Sequence, residues 1–193
     1  MATKWVFAAL SAIGSMVAAP AAQAALYDFT YTASWGVVSG AVSGVLQPDN
    51  NTIIVSAILN PEFDGVPGPA VPVITTLADY FGVAGPTTPE VTIDGTNNNV
   101  LACTTTGTCG DGFFFDSAGI YTSYVLGTTP APYFAVGPSY SGGSTALYEP
   151  YSAANWSIVV VPEPATWTMM LVAMGSLGLA MRLRRNRPGL AAA

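Results

Sequence analysis

The chain has 193 residues, of which 51% are hydrophobic and only 8% are charged, and its 20 Gly and 15 Pro divide the apolar stretches into short pieces. All 5 basic residues lie near the two ends, at Lys4 and after residue 181, so the middle of the chain carries acidic charge alone. This distribution argues against nucleic acid and other polyanions as ligands, because phosphate binding depends on Lys and Arg contacts.

The N-terminal segment, residues 1–24, has the layout of a secretory signal peptide. Lys4 supplies the positive start and is followed by an uncharged apolar stretch. Ala22 and Ala24 then form the small-x-small pattern that signal peptidase recognises. Cleavage is therefore expected after Ala24, which leaves Ala25 as the first residue of the exported protein.

The middle segment, residues 25–161, is predicted to form one antiparallel all-β domain, either a sandwich or a jelly roll. In residues 27–32 the aromatic residues alternate with polar ones, which places the three rings on one face of a strand. Residues 155–161 alternate likewise, with Trp156, Ile158 and Val160 expected on the buried side. Further strands are predicted at residues 37–46, 52–59, 71–77, 90–93, 112–115, 120–126, 133–136 and 145–148.

Catalytic chemistry is limited by the absence of His, the usual base of hydrolytic triads and a common metal ligand. The carboxylates are the remaining candidates for a catalytic acid and base. Glu62 with Asp64, or Asp111 with Asp116, could form the acid/base pair of a glycosidase, whose chemistry needs two carboxyl groups at a set separation. Solvated carboxylates in turns explain the same residues, and we expect the protein not to be an enzyme.

Calcium is the other ligand that such an acidic domain could bind, since it prefers oxygen ligands. Asp94 and residues 97–99 bring one carboxylate and three Asn side chains into one stretch. No calcium-loop motif is complete, however, and Asp and Asn runs also simply form turns. No metal or other cofactor is therefore expected.

The two cysteines, Cys103 and Cys109, are expected to form a disulfide. An exported protein meets an oxidising environment, and a metal site built from two Cys without His would be unusual. The bridge would close a short loop and fix a local turn.

The C-terminal segment combines an apolar stretch with a basic cluster. Residues 165–181 carry no charge and as a helix would span roughly 25 Å, near the lower limit for crossing a ~30 Å hydrocarbon core. Basic residues that follow a span tend to stay in the cytoplasm, so the domain before it would face outward. The predicted stop-transfer residues are Arg182, Arg184, Arg185 and Arg187.

A proline-bracketed motif, Pro162-Glu163-Pro164, stands between the domain and this span. Two prolines keep the backbone extended and remove hydrogen-bond donors, which leaves the segment accessible to a processing enzyme. The motif, the short span and the basic cluster, together residues 162–187, resemble the PEP-CTERM sorting signal. That resemblance implies processing by an exosortase, in bacteria that make exopolysaccharide; the same C-terminal element is also named after ice-binding proteins.

The resemblance implies a destination more than an activity. We expect export across the inner membrane, transient anchoring through the C-terminal helix, and then a location at the cell surface or in the extracellular matrix. Signal peptidase, an exosortase and the membrane are the expected partners, with exopolysaccharide as a further one. A non-catalytic surface protein is the main hypothesis, and a carboxylate-dependent glycan enzyme or a calcium-dependent carbohydrate-binding module is the alternative.

Overall fold

The computed structural model describes residues 24–105, 109, 111–142, 144–162, 170–177 and 182. Eleven strands form one antiparallel sheet. They are β1 Ala25–Ala33, β2 Gly36–Leu46, β3 Thr52–Phe63, β4 Val66–Pro67, β5 Val73–Thr75, β6 Glu90–Thr92, β7 Asn99–Cys103, β8 Gly112–Asp116, β9 Tyr133–Val136, β10 Leu147–Pro150 and β11 Trp156–Val161. The helices are α1 Leu77–Phe81, a π-helix Tyr121–Val125, α2 Pro138–Ser141 and a 3₁₀ helix Ala153–Asn155.

The sheet has the strand order β10-β9-β8-β7-β6-β3-β2-β1-β11, with β4 added to β3 and β5 to β7. The predicted antiparallel β class is confirmed. The predicted sandwich or jelly roll differs from the structure, because the strands form a single sheet that curls into a half-barrel instead of two separate layers. Two register shifts between β2 and β3, next to Gly40 and Gly44, bend these strands as β-bulges do.

Curling brings the two halves of the sheet face to face around an aromatic core. Tyr31 on β1 lies 4.3 Å from Phe134 on β9, measured between ring centroids. Phe115 on β8 meets Trp156 on β11 edge to face at 5.1 Å, and Trp156 stacks on Phe29 at 5.6 Å. Tilted and edge-to-face contacts of this kind add to the stability gained from burying the rings.

The predicted alternation in β1 is confirmed: Tyr27, Phe29 and Tyr31 are buried, whereas Asp28 and Thr32 are exposed. This pattern follows from the period of two residues in a strand.

In β11 the prediction holds for Trp156 and Ile158 but is wrong for Val160, which is 57% exposed. Val159 is exposed as well, at 59%. The alternation therefore fails towards the end of β11, where the strand reaches the margin of the core and both faces are open to solvent.

One predicted strand is a helix, and two strands, the two-residue β4 and the longer β7, were not predicted. Residues 120–126 contain the π-helix, because the carboxylate of Asp116 accepts hydrogen bonds from the backbone N–H groups of Ile120 and Tyr121 at 3.1 and 2.7 Å. These bonds satisfy donors at the start of a helix. Strand β7 begins in an Asn run that resembles a turn, but all five of its residues are buried.

The first and last strands of the domain pair with each other. β1 lies between β2 and β11, and Leu26 is opposite Val161 in the β1–β11 ladder. In an antiparallel pair the start of one strand lies beside the end of the other. The chain therefore enters and leaves the domain at the same end of the sheet.

We predict that Trp156→Ala lowers the free energy of unfolding by about 3–5 kcal/mol, the usual cost of removing a buried aromatic side chain. The indole also donates a hydrogen bond from Nε1 to the Thr92 carbonyl at 2.8 Å, and Gly95, with φ at +72°, packs so closely that a Cβ there would lie 2.7 Å from the Trp156 ring. Urea denaturation followed by circular dichroism measures the change. Val159→Ala is the matched control in the same strand and should cost less than about 1 kcal/mol; equal losses in the two variants would contradict the prediction.

Candidate functional site

The sorting junction begins at the end of β11. Pro162 follows Val161 directly and is exposed. A proline has no backbone N–H, so it cannot donate to the β1–β11 ladder, and the paired region ends here. Pro162 thus lies exposed at the margin of the sheet. Glu163 and Pro164 lie outside the described residues.

The predicted membrane span is described only in part. Residues 170–177 are helical and exposed, as is Arg182. Over the part of the chain that the structure describes, no helix has the length and apolar character needed to cross a membrane. The other predicted stop-transfer residues, Arg184, Arg185 and Arg187, lie outside that part.

The predicted signal cleavage site lies at the start of β1. Ala24 precedes the strand and is exposed, and Ala25 is its first residue. Ala22 and the rest of the leader lie outside the described residues. Cleavage after Ala24 would therefore leave β1 intact.

Three of the four candidate glycosidase carboxylates, Asp64, Asp111 and Asp116, accept hydrogen bonds from backbone N–H groups. Asp111 precedes β8 and Asp116 ends it, so five residues of extended chain separate their Cα atoms by about 16 Å. An Asp carboxyl reaches only about 2.5 Å from its Cα, so the two carboxyl groups stay further apart than those of a glycosidase pair. Asp64 caps a turn instead, since its Oδ1 accepts a 2.8 Å hydrogen bond from the Val37 N–H, and Glu62 lies on β3.

Asp116 is the one buried carboxylate of these candidates, and burial raises its pKa. The backbone N–H groups of Tyr121 and Ile120 act in the opposite direction by stabilising the charged form. Because both carboxylate oxygens accept these bonds, the side chain fixes the start of the π-helix. Its position indicates a structural role.

The candidate calcium stretch is held by its own hydrogen bonds. Asp94 Oδ1 accepts bonds from the Thr96 N–H at 3.0 Å and the Thr96 hydroxyl at 2.9 Å, and these hydrogen bonds lower the pKa of Asp94 to about 2. Asn97 bonds to Glu90 and accepts a 2.8 Å hydrogen bond from the Asn99 amide, whereas Asn98 points inward, so the three amide groups do not converge on one point. Among the described residues no group of three or more Cys, Asp and Glu could hold a metal ion.

The predicted disulfide between Cys103 and Cys109 is confirmed. Cys103 ends β7 and is buried, and the bridge ties the following loop back to the sheet. The Cys109 N–H donates a 3.1 Å hydrogen bond to the Tyr80 hydroxyl, which connects this loop to α1. The bridge therefore fixes the local arrangement on the outer face of the sheet.

A cluster of tyrosines on that outer face was missed by sequence reasoning. Tyr121 of the π-helix stacks on Tyr133 of β9 and on Tyr148 of β10, with ring centroids 5.3 and 5.7 Å apart. Tyr148 is 46% exposed. Burial and a hydrogen bond with Tyr148 raise the pKa of Tyr121 to about 12, so its hydroxyl stays neutral. We call these three residues the tyrosine cluster.

The surroundings of the tyrosine cluster are also aromatic. Tyr124, which is 56% exposed, lies 4.9 Å from Phe81 of α1 between ring centroids, and Phe114 of β8 lies 5.1 Å from Tyr121. A shallow hollow of about 100 Å³ beside Tyr148 is lined by Phe114 and Ala135, among others. The three tyrosines are visible in the sequence, but their spacing does not indicate a cluster. They meet because residues 121–125 form a π-helix.

The charge of the domain limits what this face can bind. The sequence has no Lys, Arg or His between residues 5 and 181, so the tyrosine cluster has no cation in its own domain. A polyanion would find no ion-pair partner there. Aromatic rings instead offer apolar faces, and tyrosine hydroxyls offer hydrogen bonds. The arrangement suits a neutral ligand with both apolar and hydroxyl groups.

We predict that the Cys103–Cys109 bridge stabilises the folded domain. Replacing both cysteines by Ala should lower the free energy of unfolding by about 2 kcal/mol, the loop-entropy value for so short a closed loop. The measurement is urea denaturation of the variant. Reducing the wild-type protein is the control and should cause a similar loss; an unchanged denaturation midpoint in both would contradict the prediction.

Comparison with known families finds a match at the C-terminal end of the chain. Residues 160–185 match the family described as the PEP-CTERM protein-sorting motif. The matched region begins inside β11, at Val160, and includes the junction after Val161. Among the curated proteins and among the solved structures nothing matches the chain.

Proposed function

From the PEP-CTERM protein-sorting motif that the chain carries at residues 160–185, we propose that it is an exported bacterial surface protein processed by an exosortase. In this proposal, signal peptidase removes residues 1–24 during export. The C-terminal segment then holds the chain in the inner membrane, and cleavage near Pro162 releases the domain or transfers it to the surface. The matched motif is the observation that carries the proposal.

The position of the junction supports this assignment. Proteases bind substrates in extended form, and Pro162 follows an edge strand with two exposed valines, Val159 and Val160. Among the described residues Pro162 is exposed, so an enzyme can reach it while the domain stays folded. The four arginines after residue 181 would resist translocation and so retain the chain until it is cut.

The domain itself is proposed to be non-catalytic and to associate with exopolysaccharide. The chain has no His, and the carboxylates Asp64, Asp94 and Asp116 are engaged in turns and caps. The tyrosine cluster is the best candidate for contact with a neutral glycan, because a pyranose ring has an apolar face that packs on an aromatic ring and hydroxyls that bond to the tyrosine O–H. A glycan-active enzyme or a calcium-dependent module is the alternative, favoured only by the number of carboxylates.

The sorting proposal predicts that Glu163→Ala blocks removal of the C-terminal segment, so that uncut protein accumulates in the membrane fraction. Mass spectrometry of the surface form identifies the mature C-terminus, in cells with and without the exosortase. Glu62→Ala, a glutamate of β3 outside the matched region, is the control and should be processed normally. A surface form that keeps residues 165–187 in normal cells would show that the tag is a permanent anchor.

The glycan proposal predicts that the purified protein is retained on neutral polysaccharides such as dextran or cellulose, and not on the anionic polysaccharide alginate. Tyr148→Ala should weaken retention roughly fivefold, as expected from the loss of one aromatic contact, while Tyr148→Phe should keep most of it. Leu59→Ala removes a similarly exposed apolar side chain, 43% exposed on β3, and serves as the control.

The same experiment separates the alternatives. Cleavage of the polysaccharide would favour the enzyme, and loss of retention on adding a chelator would favour the calcium-dependent module. Equal retention of Tyr148→Ala and wild type would remove the tyrosine cluster from the proposal.

A further inference from the structure

The hollow on the outer face of the sheet adjoins the tyrosine cluster. It has a volume of about 100 Å³, and Tyr148 is the member of the tyrosine cluster that borders it. Phe114, Ala135 and Asp111 border it as well. Pockets that enclose a whole small molecule measure roughly 300–1,000 Å³, so this hollow suits a single substituent of a larger ligand.

The register of the sheet explains why the hollow is there. Phe114 is opposite Ala135 in the β8–β9 ladder, and Ala135 is opposite Tyr148 in the β9–β10 ladder. Residues opposite each other in a ladder point to the same face, so the three side chains form one row. Ala135 has only a methyl group and stands between two rings. The rings extend beyond it on either side, which leaves a space with an apolar floor.

Asp111 supplies the polar side of the hollow. Its Oδ1 accepts hydrogen bonds from the Gly112 N–H at 2.9 Å and from the Ser139 N–H at 3.4 Å, and these bonds hold the carboxylate in place. An ionised carboxylate has about four acceptor positions on its two oxygens, so it has capacity for a further N–H donor. The hollow therefore combines an aromatic wall, an apolar floor and a charged hydrogen-bond acceptor.

From this combination we propose that the glycan bound at the tyrosine cluster contains 2-acetamido sugars, and that the hollow holds their acetamido group. The inference rests on the proposed function, since it takes glycan binding at the tyrosine cluster as given. It adds the chemical class of the sugar. The tyrosine cluster alone does not specify that class, because any pyranose ring has an apolar face that packs on an aromatic ring.

An acetamido group matches each part of the hollow. Its methyl group packs on Phe114 and Ala135, and its N–H donates a hydrogen bond to the Asp111 carboxylate, while the pyranose ring packs on Tyr148. A hydroxyl group at the same carbon is too short to cover the apolar floor. The acetamido group is also uncharged, which suits a domain whose charged side chains, over residues 25–161, are all acidic.

The test compares two soluble tetrasaccharides with the same β-1,4 linkage. Chitotetraose carries an acetamido group at C2 of each ring, and cellotetraose carries a hydroxyl group there. Dissociation constants of the purified full chain, measured by isothermal titration calorimetry, should favour chitotetraose roughly tenfold or more, as expected from one buried methyl group and one hydrogen bond to a charged group. Tyr148→Ala should weaken the binding of both by a similar factor, since both rings pack on Tyr148.

Two further variants show whether the hollow is the cause of the preference. Ala135→Leu fills the hollow and should bring the two dissociation constants close to each other. Asp111→Asn removes the charge but keeps an oxygen for the Gly112 N–H, and it should reduce the preference about fivefold. Asp28→Asn makes the same change at an exposed residue of β1 and is the matched control, which should keep the full preference. Circular dichroism shows whether each variant is folded; if Ala135→Leu does not fold, Asp111→Asn decides.

The outcomes separate the inference from the proposed function. Equal affinity of the wild type for the two tetrasaccharides would overturn the inference and leave glycan binding intact. Full preference for chitotetraose in a folded Ala135→Leu or Asp111→Asn variant would place the acetamido group outside the hollow and so also overturn the inference. Binding of neither tetrasaccharide would instead overturn the glycan part of the proposed function, on which the inference rests.

Discussion

The pairing of the first strand with the last is the constraint on which the rest of the structure depends. β1 is held between β2, its neighbour in sequence, and β11, which arrives only after the whole domain has been made. This long-range pairing brings Trp156 onto Phe29 and so completes the aromatic core. Contacts so distant in sequence carry a high loop-closure cost, which the burial of large rings offsets. The domain cannot form its core without the strand that leads into the sorting motif.

Asn98 is the centre of a hydrogen-bond network of buried polar groups in this core. Asn98 is fully buried, accepts a 2.7 Å hydrogen bond from the Thr92 N–H, and donates one of 2.8 Å to the Tyr151 hydroxyl. Tyr151 in turn donates to the Gly95 carbonyl at 2.7 Å. A buried amide without such partners would be costly, so the network fixes the β6–β7 turn against the segment before β11. The turn that seemed a calcium candidate in sequence is thus part of the closure of the sheet.

The β class, the disulfide and the PEP-CTERM motif could be predicted from the sequence, because each depends on local pattern. Alternation in residues 27–32 indicates a strand with one buried face, and Pro162 indicates where a strand ends. The single curled sheet could not be predicted, since it depends on bulges near Gly40 and Gly44 and on pairing across the whole domain. The tyrosine cluster was missed for a related reason: residues 120–126 have strand-like composition, and their composition does not indicate the capping contact from Asp116.

The distribution of charge bears on the proposed anchoring and release of the protein. Every Lys and Arg lies in the predicted signal peptide or in the C-terminal sorting segment. The charged side chains of residues 25–161 are therefore all acidic. Before processing, the C-terminal arginines would be attracted to the anionic cytoplasmic leaflet, each by about 1 kcal/mol. Cleavage of the junction after Val161 would separate the domain from these arginines and so remove the attraction. The released domain then has no basic side chain to return it to an anionic membrane, and like charges keep its copies apart. Cleavage at one exposed junction would thereby convert a tethered protein into one that leaves the membrane, with only neutral contacts such as the tyrosine cluster available to hold it at the surface.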